Sequence, residues 1–162
     1  MWHRLRYGLV LWLLASVVTI GACSPSRTST TSTSTPIPPG STKVTKSIAS
    51  GTIVVAPGGS RDIGFYVDLF VYRPRVTGSF HASGGANDIE IFIVDDDQFS
   101  DWRMGRTIQP VYNSRPTTAG NVDVLLPKTG YYHLVFNNTY ANAQKFVEAN
   151  IYVEWWVEPS GS

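Results

Sequence analysis

The chain reads as an all-β protein, an antiparallel β-sandwich of about eight strands, and three observations predict this. Apolar residues recur at every second position in short runs, the period of a strand with one buried face. Gly, Pro and Asn clusters separate those runs, as turns require. No segment of the domain sustains a 3.6-residue period, and aromatics at 12% suit a β-rich core. A jelly-roll-like sandwich is the first expectation and a small barrel the second. The Cys…Trp…Cys spacing of immunoglobulin domains is absent.

The runs follow in order. Ile53-Val54-Val55 leads into the turn Pro57-Gly58-Gly59, and Ile63 to Val67 is a second run. Val76 to Ala82 alternates, with Val76, Phe80 and Ala82 on one face. Asp88 to Val94 (DIEIFIV) is so continuously apolar that the pattern predicts a strand covered on both sides. Gln98 to Met104 (QFSDWRM) is the best candidate for a short helix within a connection. Short runs at Val111-Tyr112 and Val122 to Leu126 precede Tyr131 to Phe136, where Tyr132, Leu134 and Phe136 share a side. In the last run, Phe146 to Val157, the residues Val147, Ala149, Ile151, Val153 and Trp155 take one face. Glu148, Asn150, Tyr152, Glu154 and Trp156 take the other.

At 162 residues, with 43% hydrophobic and 15% charged residues, the chain suits a single globular domain. The formal charge is +1; without residues 1–22, which hold Arg4 and Arg6 and no acid, it becomes 11 − 12 = −1. No Lys/Arg cluster interrupts this neutrality, so nucleic acid is not an expected partner. The single cysteine, Cys23, excludes an internal disulfide and a CxxC site.

The N-terminus explains that cysteine. Residues 1–6 carry two arginines, and Gly8 to Ile20 is an apolar run shorter than the about 20 residues a bilayer-spanning helix needs. Ile20-Gly21-Ala22-Cys23 resembles the lipobox of bacterial lipoproteins. The resemblance implies that residues 1–22 are a signal peptide and that Cys23 becomes a diacylated mature N-terminus. Two or three acyl chains anchor stably where one does not. Ser24, rather than Asp, stands after the cysteine, which in similar lipoproteins of diderm cells favours the outer membrane. Residues 23–45 are expected as the lipidated cysteine and a disordered tether, because Ser24 to Thr42 is Ser, Thr and Pro with almost nothing to bury. The sandwich is then expected over residues 46–158.

Three stretches of that domain form a recognisable set: GSFHASGGANDIEIFIVDDD from Gly78 to Asp97, VYNS from Val111 to Ser114, and LPKTGYYHLVFNNTY ending at Tyr140. Together they resemble the GOLD-type β-sandwich, the lumenal domain of the emp24/gp25L/p24 group, over about Gly51 to Val157. The resemblance implies a sandwich used as a binding or spacing module. Eukaryotic members have a paired-cysteine bridge that one cysteine cannot form, so their trafficking role does not carry over.

Few residues suggest chemistry. Asp95-Asp96-Asp97, at the end of the apolar strand, are oxygen donors of the kind Ca²⁺ takes, though without EF-hand spacing. The alternative is a solvated turn that ends the strand. His81 and His133 both fall on the polar face of their strands and read as surface residues. No GxSxG, HExxH or phosphate-binding glycine loop occurs, so an enzyme is not expected and no cofactor is implied. Asn137-Asn138-Thr139 fits the N-glycosylation pattern, which carries no information in a bacterial-type lipoprotein. Trp102, Tyr112, Tyr131, Tyr152 and Trp156 are the candidate outward aromatics, able to stack on sugars or to anchor a protein contact. The expected function is a non-catalytic binding or scaffolding module, lipid-anchored outside the cytoplasm, with another envelope protein as partner. Carbohydrate binding through the aromatics is the first alternative, and a calcium-dependent adhesive or structural module the second.

Overall fold

A computed structural model describes residues 36–159, so Cys23, the expected leader and most of the expected tether lie outside the described residues. Eight strands and one helix follow in order. They are β1 (Thr42–Val55), β2 (Ser60–Val67), β3 (Val71–Ser83), β4 (Glu90–Asp95), α1 (Asp96–Arg103), β5 (Tyr112–Asn113), β6 (Ala119–Leu125), β7 (Gly130–Asn137) and β8 (Lys145–Val157). No helix among the described residues is long and apolar enough to cross a membrane.

The strands form two four-stranded antiparallel sheets, ordered β1-β8-β3-β6 and β2-β7-β4-β5. The pairing is nested: β1 with β8, β2 with β7, β3 with β6 and β4 with β5. A chain paired in this way is one long hairpin, closed between β4 and β5 and rolled into two layers, the jelly-roll arrangement. Neither sheet closes on itself, so the small barrel is excluded.

Alternation dictates which residues meet between the layers. Val76, Phe80 and Ala82 of β3 and Val147, Ala149, Ile151 and Val153 of β8 are buried against Phe65, Val67, Ile91, Ile93, Tyr132, Leu134 and Phe136 of the facing sheet. Trp155 packs at the margin of this core. At the centre of the first sheet, Gly78 has φ +150 and lies so close to β8 that a Cβ would collide with the Asn150 carbonyl and the Ile151 Cα. Only glycine suits that position.

The first strand begins earlier than the composition suggested. Residues 42–45, expected in the tether, pair with β8 from Thr42↔Val157 to Thr45↔Glu154. Thr42, Lys43 and Thr45 are polar and exposed, as an edge strand tolerates, while Val44 is half-buried. Backbone pairing, which composition does not report, supplies the stabilisation.

The connections sort to two ends of the sandwich. The β2–β3 turn and the β6–β7 loop lie at the end where β1 starts and β8 finishes. The β1–β2, β3–β4, β5–β6 and β7–β8 connections lie at the other. That second end is pinned by polar contacts. The fully buried Lys145 ammonium donates to Asp88 Oδ1 at 2.5 Å, and the buried Asn138 amide donates to the carbonyls of Ala56 and Ala143, each at 2.9 Å. Partial burial, then the charges of Asp88 and Glu90, push the Tyr140 phenol up to about 12.

Candidate functional site

The two outer sheet faces differ, and the difference locates the candidate surface. On the second sheet, β4 ends at Asp95, whose carboxylate caps α1 by accepting from the Gln98 N–H at 2.9 Å. Asp96 and Asp97 stand in the first turn, where the helix dipole favours acids. The helix turns back over the sheet, and Phe99 and Trp102 from it, with Ile108 from the chain that follows, cover Phe92, Val94 and Val135. The ring of Trp102 meets Phe92 edge-on, with centroids 5.2 Å apart. This roof accounts for the continuous apolar run of β4, since Ile91 and Ile93 face the main core while Phe92 and Val94 face the helix.

The three aspartates therefore have separate tasks. Asp95 caps the helix and pairs with the Lys128 ammonium at 2.8 Å. Burial pushes its carboxyl up, but the Lys128 contact and the N–H groups of Gln98 and Asp97 outweigh that and hold it below the usual carboxylate range. Asp96 turns toward His133, and Asp97 is exposed. Among the described residues no three His, Cys, Asp or Glu side chains converge as a metal site.

His133 departs from the expectation of a surface residue. It does lie on the outer face of β7, as alternation requires, but that face is roofed and the side chain is buried. Its ring stacks on Phe99 with centroids 3.8 Å apart and planes 10° from parallel. Nε2 lies 3.0 Å from Asp96 Oδ1 and Nδ1 lies 3.3 Å from Asp62 Oδ2, so the ring spans from β2 to α1. Each ring nitrogen thus faces a carboxylate, and the stacked ring ties the sheet to the helix. The expectation missed it because Asp62 and Asp96 lie 71 and 37 residues away in sequence. His81, by contrast, is exposed on β3.

The five aromatic candidates do not form one site. Trp102 belongs to the helix roof. Tyr112 packs at the margin of the main core, and its hydroxyl donates to the Asn121 carbonyl at 2.9 Å; burial raises its phenol above the ordinary value. Tyr131 is exposed and lies across Gly64 of β2, where a Cβ would meet its ring. Tyr152 and Trp156 share the outer face of the first sheet. Sequence reasoning missed Tyr72, which stands opposite Trp156, and Phe146 at the far end of that face. Alternation along β8 placed Tyr152 and Trp156, but nothing in the sequence brings Tyr72 beside them.

That outer face is open, and its rows can be read from the register. Lys43, Trp156 and Tyr72 form one row, then Thr45, Glu154, Arg75 and Leu125. Ser47, Tyr152, Thr77 and Asp123 follow, then Ser50, Asn150, Ser79 and Asn121. Thr52, Glu148, His81 and Ala119 make a fifth row. The charges at the Trp156 end are largely paired, Lys43 with Glu154 at 2.7 Å and Arg75 with Asp123, while the Tyr72 hydroxyl donates to Glu158. The result is a broad hydroxyl- and amide-bearing sheet surface with Tyr72 and Trp156 at one end, Tyr152 in the middle and Phe146 at the other end. Asn137, the acceptor position of the glycosylation pattern, is buried and donates to Glu90 Oε2 at 2.7 Å.

No protein-family model matches the chain, and no curated protein matches it.

Proposed function

We propose that this protein is a non-catalytic binding and scaffolding module, lipid-anchored on the outside of the cell membrane or the outer membrane, whose partner is another envelope protein. One observation supports the binding surface: helix α1 roofs one outer sheet face, while the other stays open with Tyr72, Tyr152 and Trp156 among short hydrogen-bonding side chains. A face of this size without a core beneath a second layer is free to meet a partner, and Tyr and Trp supply contact area at low entropic cost. The anchor is supported by the basic start, the short apolar run and Ile20-Gly21-Ala22-Cys23. The motifs that resemble the GOLD group suit the same use, a sandwich held at a membrane to bind or space.

The test uses the full chain in its native membranes. Mild crosslinking followed by purification is expected to recover one partner with the wild-type protein and not with the Tyr152→Ala/Trp156→Ala variant, whose thermal stability stays close to wild type. Recovery that is equal for both proteins removes the open face from the reading. Mass spectrometry of the N-terminal peptide checks the anchor, with Cys23 expected to carry acyl chains and no leader.

A second reading, carbohydrate binding, is favoured by the row chemistry of the same face. Sugar rings need a stacking surface beside hydrogen-bonding groups, and Tyr152 lies in a row with Ser47, Thr77 and Asp123, next to Asn150 and Asn121. Titration with envelope polysaccharides separates the readings: a saturable change in Trp fluorescence that Trp156→Ala abolishes supports sugar, and no change supports protein.

A further inference from the structure

We infer that the end of the sandwich at which the chain enters β1 rests on a lipid bilayer, with Leu69 and Phe70 of the β2–β3 turn entering the interfacial layer. The inference deepens the membrane-anchored reading above and depends on it.

Leu69 and Phe70 are 66% and 82% exposed, more than any other large hydrophobic side chain among the described residues. They sit at the tip of a three-residue connection between β2 and β3, and neither belongs to a core cluster among the described residues. A solitary exposed apolar residue needs no explanation, but two adjacent ones on a projecting turn are a costly surface in water. Their setting is also ordered. One row back from the tip, Tyr66 and Tyr131 stand opposite each other in the second sheet, 56% and 47% exposed. On the first sheet the matching row is Tyr72 and Trp156. An apolar tip followed by a belt of Tyr and Trp is the depth profile of a protein entering a bilayer interface, where amphipathic rings favour the headgroup level. Lys43 and Arg73 lie at the same end, with stems long enough to keep their charges among headgroups. With Lys128 of the β6–β7 loop also basic, and Asp68, Asp95, Asp96, Asp97, Glu154 and Glu158 acidic, this end carries no excess of positive charge, so apolar insertion rather than charge attraction drives the contact.

The opposite end serves as the internal control. Its connections run through Ala56-Pro57-Gly58-Gly59, through Gly84 to Asp88, through Ser114 to Thr118 and through Asn138 to Gln144, with Tyr140 their single aromatic and no exposed Leu or Phe at a loop tip; the row behind them holds one exposed pair, Phe146 and Val54. The choice of occupant follows from where the chain enters. Thr42 lies at the Leu69–Phe70 end, and only residues 24–41 separate it from Cys23. The end nearest the anchor along the chain is thus also the apolar one. Leu69 and Phe70 stand exposed on a short turn, which a deformable lipid interface accepts and a protein would have to match with a pocket.

The native sequence has one cysteine, which makes a clean test possible. The full chain is reconstituted into protein-free vesicles of phosphatidylethanolamine and phosphatidylglycerol. An environment-sensitive thiol dye is placed on Leu69→Cys and, separately, on Asn142→Cys in the β7–β8 loop as the far-end control. Expected is a blue-shifted emission at position 69, quenched by lipids spin-labelled near the headgroup, with position 142 unshifted and unquenched. Equal, water-like emission at both positions, with Cys23 unreactive to dye in the denatured wild-type chain, overturns the docking and leaves the anchor standing. A reactive Cys23 in that wild-type control overturns the anchor, and the docking with it. A shift at position 69 that appears in native membranes but not in the protein-free vesicles assigns the tip to a protein cover and overturns the inference.

Discussion

The two outer faces of this sandwich solve the same problem in opposite ways. On the second sheet, β4 puts Phe92 and Val94 outward, and the structure covers them with a helix of eight residues and the chain that follows it. On the first sheet, β8 puts Glu148, Asn150 and Tyr152 outward and leaves them in water. Apolar side chains on a sheet face must be removed from solvent, and polar ones must not be. The comparison teaches that the side chains each sheet turns outward decide which face is covered and which is left in water.

The largest effect that would test this contrast comes from the covered face. Phe92→Ala removes a buried ring from beneath Trp102 and is expected to cost about 3–5 kcal/mol in chemical denaturation. A loss below 1 kcal/mol would mean the roof is not packed. Next is Gly78→Ala at the centre of the open sheet. A Cβ there meets β8 backbone at a positive φ, so roughly 2–3 kcal/mol should be lost although the outer face is polar. Equal stability would show that the two strands part without penalty.

A smaller effect isolates the helix cap. Asparagine caps about as well as aspartate, so Asp95→Asn keeps the Gln98 contact and deletes the charge facing Lys128. The folded-state value of Asp95 is depressed, so its stabilisation is fully present above the unfolded carboxylate pKa and is lost as pH falls through the folded one. Denaturation at neutral pH should show a difference under about 1 kcal/mol, as for an exposed ion pair, and the two proteins should converge in acid. A gap that widens on acidification would reverse the sign and remove Lys128 as the cause. Smallest of all, Asn150→Ala on the open face should stay within about 0.5 kcal/mol of wild type. A larger loss would show that this face is structural rather than free.

How much was legible beforehand can be argued from single residues. Phe80 and Ala82, or Ile151 and Val153, announce an inward face because each strand has only two sides and the apolar residues keep to one. The short helix was legible from QFSDWRM, and the double burial of β4 from its unbroken apolar run. Tyr152 and Trp156 were placed outward correctly by the same period. Trp102 was not, because its burial depends on where α1 folds, and His133 was misjudged for the same reason. Its partners Asp62 and Asp96 come from β2 and α1, and no spacing rule links three such positions.

By itself the sequence determined the class of fold, most of the strands and the inward-facing residues, since those follow from a local period of two and from where the turn residues stand. Tertiary structure alone decided that α1 lies on one sheet and not the other, that Tyr72 joins Trp156, and that Leu69 and Phe70 share an end with Thr42. The physical reason is range. Side-chain direction along a strand is set by neighbours in the chain, whereas a face or an end of the molecule is assembled from strands far apart in sequence, such as β1 with β8 and β3 with β8.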